Sequence, residues 1–302
     1  MKPLSVGNVV SAGLRIYRDN FGKYFRIAFL GYLWMFAPII IFTVALVAII
    51  STALGQSSGN IGLYVLILVI GIVALAYSSA RFAAMSGLLA RLAYKEVNEQ
   101  PETVAEASRH TKPRMWNFWI AGIITFLIGF AAAIAYLIVY GLVLFIIGFI
   151  AGQDAVGLPI LVIVLMLIFG ILGFFWLSSR LFLFELPLAV QEDVRAGGSV
   201  GKSWEISRGA VSRIQLILLV SFLITIPLFI VTNIISSIVQ AIIGGVLGST
   251  SPEVASVVLI ILFVASTLIS GSIMIPYWQS IKAVIYYDLK VRREGMGLDL
   301  RK

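Results

Sequence analysis

The stretch from Ala196 to Ser203, reading AGGSVGKS, has the spelling of a phosphate-binding loop, in which Ala or Gly and four further residues precede Gly-Lys-Ser. In such a loop, backbone N–H groups at the end of a buried parallel strand converge on the phosphates, and the lysine reaches their outer oxygens. Here the preceding segment is apolar and ends near Pro187, and no alternation of strands and helices is recognisable. We therefore interpret the glycines as a linker before a helix capped by Ser199, and we predict no nucleotide binding.

Glu185 is a second candidate for chemistry, because it lies in the apolar run FLFELP at 182–187. An unpaired carboxylate in hydrocarbon is costly and needs a cation or water. Arg180 is a poor partner, since five residues correspond to about 140° around a helix. Cations on the other apolar segments are better partners. We predict an intramembrane polar cluster of Arg81, Arg180, Glu185 and Lys282, which is either an ion or proton site or a structural ion pair.

Other catalytic or metal-binding arrangements are missing from the sequence. The chain has no cysteine, which excludes disulfides, thiolate metal sites and cysteine nucleophiles, and its one histidine is too few for a histidine metal cluster. The apolar segments contain no HExxH, no GxSxG and no paired aspartates. We therefore expect a protein that is not an enzyme and has no cofactor or metal.

The elements that must position these residues are apolar segments. Sixty per cent of the 302 residues are apolar and the mean hydropathy is +1.04, which is typical of a membrane protein. Six segments are long enough to cross a hydrocarbon core, which takes about 20 residues. We predict an all-α, polytopic fold in one membrane domain, 1–302, with transmembrane helices at roughly 24–50, 61–90, 115–150, 156–189, 214–247 and 254–287.

The connectors between these segments alternate in character. On that alternation all 22 Lys and Arg residues fall on one side, and only Asp154 and Glu253 carry charge on the other. The positive-inside rule then places both termini and the charged connectors in the cytoplasm. We expect a multi-pass protein of a bacterial inner (cell) membrane or of an internal membrane, and we interpret the net charge of +8 as a one-sided field with no role in nucleic-acid binding.

An internal repeat of about 97 residues is indicated by the order of these features. Each unit has a short amphipathic helix, an outgoing apolar helix, a small polar turn and a returning apolar helix. The return helices carry serine followed by a cation, as in Ser78-Ser79-Ala80-Arg81, Ser178-Ser179-Arg180 and Ser280-Ile281-Lys282. We predict three parallel pseudo-repeats at 4–99, 100–196 and 197–294, since each unit starts and ends on the same side.

The short opening helices are predicted to lie at the cytoplasmic surface. From Leu4 to Phe21 the polar and apolar residues separate onto two faces, and Thr103 with Glu106 forms a capping box at the start of the second unit. Such helices either lie among lipid headgroups or pack on the protein's own membrane helices. Cations here would attract anionic lipid. The candidate contacts are Arg15, Arg18, Lys23, Arg26, Lys202, Arg208 and Arg213.

Three stretches carry a resemblance to a known family. They are the N-terminal pattern VGNVVSAGLRIYRDNF at 6–21, the central Arg180, Pro187, Glu192 and SWEISRG at 203–209, and the C-terminal YYDLKVRREG at 286–295. Together they resemble the glycerophosphodiester phosphodiesterase membrane-domain family and related multi-pass bacterial proteins, over the whole chain. In some members the membrane part is attached to a catalytic barrel with His, Glu and Asp. This chain lacks that barrel, so the resemblance implies the membrane part alone.

Two functions follow as hypotheses. The first is a non-enzymatic integral membrane protein that acts as a scaffold, lipid-interacting element or accessory protein, with anionic lipid, another membrane protein or a second copy of itself as partner. The alternative is a transporter or channel for a small or lipid-like substrate, with Pro38, Pro227 and Pro276 as hinges and the predicted polar cluster as its inner gate.

Overall fold

A computed structural model describes residues 4–55, 60–151, 157–248 and 252–299. Within them the chain forms ten α-helices and a 3₁₀ turn at Lys112–Arg114, without a β-strand, so the all-α prediction is confirmed. The helices are α1 (Val6–Asp19), α2 (Phe21–Ala53), α3 (Ile61–Val97), α4 (Val104–Thr111), α5 (Met115–Ala151), α6 (Gly157–Leu181), α7 (Glu185–Val190), α8 (Ala196–Ile206), α9 (Val211–Gly248) and α10 (Pro252–Asp299).

Six of these helices, α2, α3, α5, α6, α9 and α10, include stretches long and apolar enough to cross a membrane. Several are much longer than a bilayer requires. Helix α9 has 38 residues and at 1.5 Å per residue is about 57 Å long, against a hydrocarbon core of about 30 Å. Part of such a helix must therefore lie outside the hydrocarbon.

The short helices α1, α4, α7 and α8 pack against the adjoining turns of the long helices. We call the region that these four helices and turns form the charged end. It contains most of the buried core, including the fully buried Tyr24, Leu89, Leu183 and Ile281. Away from it, the long helices expose large apolar side chains, as at Phe145, which is 73% exposed. The opposite connectors lie mainly outside the described residues, and Asp154 lies there too.

The fourth apolar segment, predicted as one helix over 156–189, is broken. Helix α6 ends at Leu181 and α7 begins at Glu185, with a turn at 182–184 between them. Pro187 has no N–H to continue an α-helical ladder, and a helix end leaves carbonyl groups without partners. The break lets the chain change direction at the charged end and places Glu185 in the first turn of α7.

Two serines of α8 donate to the carbonyls at this break. Ser203 Oγ donates to the Arg180 carbonyl oxygen at 2.9 Å, and Ser199 Oγ donates to the Phe184 carbonyl oxygen. The prediction that Ser199 caps α8 is therefore wrong, because α8 already begins at Ala196 and Arg195 occupies the N-cap position. The hydroxyl stabilises the end of the preceding segment instead.

Other helix ends follow the sequence more closely. The predicted capping box of Thr103 and Glu106 is present at α4, and Ser5 caps α1 by accepting from the Asn8 N–H. Gly209 has a φ of +78°, a left-handed conformation that glycine adopts readily, in the turn from α8 to α9. Helix α10 continues through Asp299, past the predicted end at 287, and so carries its cationic tail as helix.

Candidate functional site

The stretch spelling AGGSVGKS does not form a strand-to-helix loop. Residues 196–203 are helical within α8, and the element before them is the short helix α7. In a helix, every backbone N–H after the first four donates to a carbonyl oxygen of the preceding turn and so does not point at a ligand. Lys202 is exposed and donates to the Gln191 side chain.

Glu185 is the centre of a buried polar group that we call the Glu185 cluster: Ser86, Glu185, Gln279 and Lys282. Lys282 Nζ donates to one carboxylate oxygen at 2.7 Å, and Gln279 Nε2 donates to the same oxygen at 2.8 Å. Ser86 Oγ donates to the other oxygen at 2.9 Å. The carboxylate charge is thus matched by a cation and two neutral donors, which buried charges require.

Three helices bring the Glu185 cluster together. Ser86 lies on α3, Glu185 on α7, and Gln279 and Lys282 one turn apart on α10. Lys282 also lies 5.0 Å from the ring centre of Phe182. The side-chain oxygen Oε1 of Gln279 is buried without a partner in the described part of the chain. The cluster therefore links helices far apart in sequence and keeps one unused acceptor.

Arg81 and Arg180, which the sequence grouped with Glu185, lie in separate surroundings. The Arg81 guanidinium lies 4.2 Å from the ring centre of Trp34. That of Arg180 lies 5.1 Å from the ring of Trp204 and donates to the Trp204 carbonyl oxygen at 3.1 Å. The predicted four-residue cluster is corrected to the Glu185–Lys282 pair, because each arginine stacks on an aromatic ring of another helix.

A second buried group, the Asp288 cluster, consists of the Leu4 backbone, Arg213, Asp288 and Arg292. Asp288 is only 2% exposed, and it accepts from Arg213 at 2.9 Å and from Arg292 at 3.0 Å. Its other oxygen accepts from the Leu4 N–H at 2.9 Å. Both arginines also donate to the Leu4 carbonyl oxygen. The cluster joins the residue before α1 to α9 and α10.

A third group holds the connector between α3 and α4. Arg91 binds both carboxylate oxygens of Glu102, at 2.7 and 2.8 Å, and Lys95 lies 3.4 Å from the same carboxylate. Arg91 also donates to the Ala189 carbonyl oxygen at 2.8 Å. Partial burial acts to raise the pKa of Glu102, but the donors Arg91 and Lys95 outweigh it and hold that pKa below its ordinary value.

Arg114 holds the segment between α7 and α8. Its guanidinium donates to the carbonyl oxygens of Leu188 and Gln191, each at 2.7 Å, and to that of Val194. Five N–H donors in a rigid plane allow one arginine to bind several carbonyls at once. The segment before α8 is therefore fixed by a side chain from the 3₁₀ turn that precedes α5.

Sequence reasoning missed most of these polar partners, namely Ser86, Arg91, Glu102, Arg114 and Gln279. One signal was available in the sequence. Arg114 lies just before one outgoing helix and Arg213 lies in the first turn of the next, 99 residues later, so the two occupy matching places. The polar residues of the buried groups otherwise resemble ordinary interface residues in the sequence. Their roles depend on partners from distant helices.

The candidate lipid contacts differ in exposure. Arg15, Arg18, Arg26, Lys202 and Arg208 are exposed, and Lys23 is half-buried with its ammonium 5.2 Å from the Tyr24 ring centre. Arg213 is half-buried, and its guanidinium donates to Asp288 and to the Leu4 carbonyl oxygen, so it is less available to lipid than the exposed cations. Arg18 pairs with the exposed Asp19 at 3.4 Å.

All six tryptophans lie at the charged end or next to it. Trp176 stacks edge-on against Trp204 of α8, Trp278 lies against Phe182, and Trp34 lies over Arg81. The remaining two, Trp116 and Trp119, are in the first turns of α5. Tryptophan prefers the boundary between hydrocarbon and headgroups. We call these six residues the tryptophan belt, and their place beside the charged end is the one expected for tryptophans at such a boundary.

The fold and these groups define a multi-pass, all-helical membrane protein whose ion pairs are concentrated at one end. No family model, no curated protein and no solved structure matches the chain. The resemblance to the glycerophosphodiester phosphodiesterase membrane-domain family therefore stays a prediction. The buried groups bind backbone and one another, an arrangement suited to holding helices in place.

Proposed function

We propose that this chain is a non-enzymatic membrane protein whose charged end binds anionic lipid headgroups, so that it acts as a lipid-interacting scaffold or accessory protein. In this proposal the charged end and both termini lie in the cytoplasm, beneath a bacterial inner membrane or an internal membrane. One observation carries the proposal. The exposed cations Arg15, Arg26 and Arg208 have no carboxylate partner among the described residues, whereas Arg91, Arg213 and Lys282 each pair with a carboxylate.

The difference between exposed and buried cations has an electrostatic consequence. Paired cations contribute little field at a distance, while unpaired ones attract anionic headgroups by about 1 kcal/mol each when close to the surface. The tryptophan belt supports a position for the charged end at the headgroup level. Exposed cations beside such a belt lie where lipid phosphates are densest.

The three-fold repeat is part of the proposal, and it is supported by an arginine contact before each short helix, to a backbone carbonyl at Leu4 and Val194 and to the side-chain carboxylate at Glu102. Each of α1, α4 and α8 follows a residue that an arginine holds: Leu4 is bound by Arg213, Glu102 by Arg91, and Val194 by Arg114. We infer that each unit begins with a short helix at the membrane surface, secured by the core of the charged end. The exposed face of each helix is then free to meet lipid.

Lipid preference can be measured in nanodiscs by tryptophan quenching. The protein is reconstituted with brominated phosphatidylglycerol or brominated phosphatidylcholine, and the quenching gives the relative association constant of each lipid. We expect phosphatidylglycerol to be preferred about five-fold or more at low salt, and the preference to fall towards one near 0.5 M salt, because exposed charges are screened.

A matched pair of variants isolates the exposed cations. The triple change Arg15→Gln, Arg26→Gln and Arg208→Gln should lower the preference, while the same three positions changed to Lys should keep it. Equal quenching by the two lipids in the unaltered protein would contradict the proposal. So would a preference that the Gln variant retains in full.

The transporter alternative has less support. Its proposed gate needs Arg81, Arg180, Glu185 and Lys282 around one pathway, but the three cations face different surroundings. Glu185 accepts from three donors and lies among buried residues such as Leu183 and Ile281. A carboxylate held in this way is suited to fixing α3, α7 and α10 together.

A further inference from the structure

A cavity of about 470 Å³ lies where α2 and α3 meet α4 and the start of α5. Its apolar wall includes Leu30, Trp34, Met85 and Met115, and its polar wall includes Arg81, Ser108 and Lys112. Ligand sites commonly have volumes of about 300 to 1,000 Å³ with a mainly apolar wall and a few placed polar groups. The size and composition are therefore those of a binding site.

The cavity has an uncompensated positive charge. Among the described residues that line it, two are cations and none is acidic. Glu102, on the connector before α4, is already bound by Arg91 and Lys95, and Glu106 caps α4 through Thr103. An anion entering the cavity would meet Arg81 and Lys112 without a competing carboxylate.

Arg81 differs from the other two return-helix cations in its hydrogen bonding. Lys282 has Glu185, and Arg180 has the Trp204 carbonyl. In the described structure Arg81 has only ring contacts, to Trp34 at 4.2 Å and Tyr77 at 5.8 Å. A guanidinium stacked on a ring keeps its N–H edge available, and that edge matches two phosphate oxygens. Arg81 is therefore oriented by aromatic rings and still lacks an acceptor.

The opening of the cavity indicates where its ligand comes from. Leu30 and Trp34 on its wall are each 50% exposed, on the side of α2 that the protein does not cover. That side belongs to the membrane-crossing part of α2. A molecule with an acyl chain can follow this apolar wall while its phosphate reaches Arg81, whereas a free ion would gain nothing from the apolar wall.

We propose that this cavity binds the phosphodiester group of one anionic phospholipid, with Arg81 as the main phosphate donor and Lys112 as the second cation. The proposal rests on the lipid-binding function above and adds a specific site to it. Tyr77 and Trp34 hold the guanidinium, and the apolar wall takes the first part of an acyl chain.

Native mass spectrometry of the detergent-solubilised protein tests the site with dioleoyl phosphatidylglycerol as the probe. We expect one lipid to bind more tightly than the rest in the unaltered protein. Arg81→Gln removes two charge-assisted hydrogen bonds, so we expect the association constant of this lipid to fall roughly 10- to 100-fold. Lys112→Gln should weaken it about 10-fold or less, since an exposed lysine contributes a single charge.

Arg26→Gln is the matched control, because it removes an exposed cation of α2 outside the cavity. It should leave the tight lipid in place. Lys112 is exposed and has no side-chain partner in the described structure, so Lys112→Gln tests the site even if Arg81→Gln misfolds. Circular dichroism and gel filtration identify a misfolded variant.

The possible failures are distinguishable. Two results would overturn the site and leave the general proposal in place. In the first, all three substitutions weaken lipid binding equally. In the second, none of them weakens it and anionic lipid is still preferred. No preference for phosphatidylglycerol over phosphatidylcholine would overturn both. Displacement of the lipid by inorganic phosphate at a similar concentration would overturn the assignment to a lipid, because the acyl chain would then contribute nothing.

Discussion

The charged end and the apolar halves of the six long helices are built on different principles. At the charged end, Leu89, Leu183 and Ile281 are fully buried, and three groups of ion pairs connect helices distant in sequence. In the apolar halves, the most hydrophobic stretches of α5 and α6 bury none of their residues inside the protein. The corresponding stretches of α2, α3, α9 and α10 bury from 6% to 22% of their residues, so the apolar halves are packed on the protein far less than the charged end is.

This contrast follows from the surroundings of the two regions, which are hydrocarbon for the apolar halves and water for the charged end. Within hydrocarbon, lipid tails are as apolar as leucine, so apolar side chains gain no hydrophobic free energy by meeting one another. Near water, burial is favourable and charged groups can be paired with specific partners. The arrangement of the six helices is therefore specified mainly where they leave the bilayer, and the following changes test that difference.

Asp288→Asn should have the largest effect. The change leaves Arg213 and Arg292 without their carboxylate at a position that is 2% exposed. Removing one partner of a buried ion pair typically costs about 3 to 5 kcal/mol. Denaturant unfolding in detergent micelles, followed by tryptophan fluorescence, measures the loss.

Asp19→Asn provides the control for that experiment. Asp19 pairs with Arg18 at 3.4 Å, but both side chains are exposed. An exposed pair contributes at most about 1 kcal/mol. If the two aspartate variants lose equal free energy of unfolding, the charged end is not the stabilising region that we describe.

The same leucine change in each region should give different results. Leu89 is fully buried at the charged end, whereas Leu142 in α5 is 56% exposed. Leu89→Ala should lose about 2 to 5 kcal/mol because it leaves a cavity. Leu142→Ala should stay within about 0.5 kcal/mol, because lipid replaces the lost contact.

Both leucine variants are unfolded under the same conditions in micelles. Because both variants change leucine to alanine, any effect of the micelles or of the unfolding method is the same for both and cancels in the comparison. A cost at Leu142 that matched the cost at Leu89 would show that the apolar halves pack on each other more than the described structure indicates.

Glu102 should give a smaller effect than Asp288 or Leu89, seen as a dependence of stability on pH. Because its pKa is lowered in the folded protein, its contribution is fully present above the unfolded-state value near 4.5 and is lost as the pH falls through the lower folded value. At neutral pH, Glu102→Gln should lose about 1 kcal/mol or less, since part of the carboxylate is solvated.

Unfolding midpoints of the unaltered protein and of Glu102→Gln, measured from about pH 6 to pH 3, isolate this dependence. The difference between the two curves should shrink as the pH falls. A constant difference would mean that Glu102 acts by packing and not through its charge.

Much of the fold is visible in the sequence because hydrocarbon demands long apolar helices. The predicted segment 24–50 lies within α2 (Phe21–Ala53), and the capping box at Thr103 is in place. The break after Leu181 was not visible, because Phe182–Leu186 remains largely apolar across it. That break depends on hydroxyls of α8, which hydropathy along the chain does not reveal.

The polar groups were less predictable. Glu185 was identified as costly in hydrocarbon, an argument that applies to that residue alone, and Lys282 was predicted as one of its partners. Arg114 and Asp288 were not recognised as centres, since their partners lie 74 and 284 residues away. The pairing of Arg213 with Asp288 was not predicted, because a single sequence shows the charge of Arg213 without showing the carboxylate beside it.

The contacts of Leu4 also set an order of events during synthesis. Every described partner of its backbone comes from Arg213, Asp288 or Arg292, the first more than 200 residues later in the chain. A ribosome releases α1 long before these partners exist. The partner from Arg213 comes with the start of α9, and those from Asp288 and Arg292 come only with the end of α10, so the last helix completes the attachment of the first.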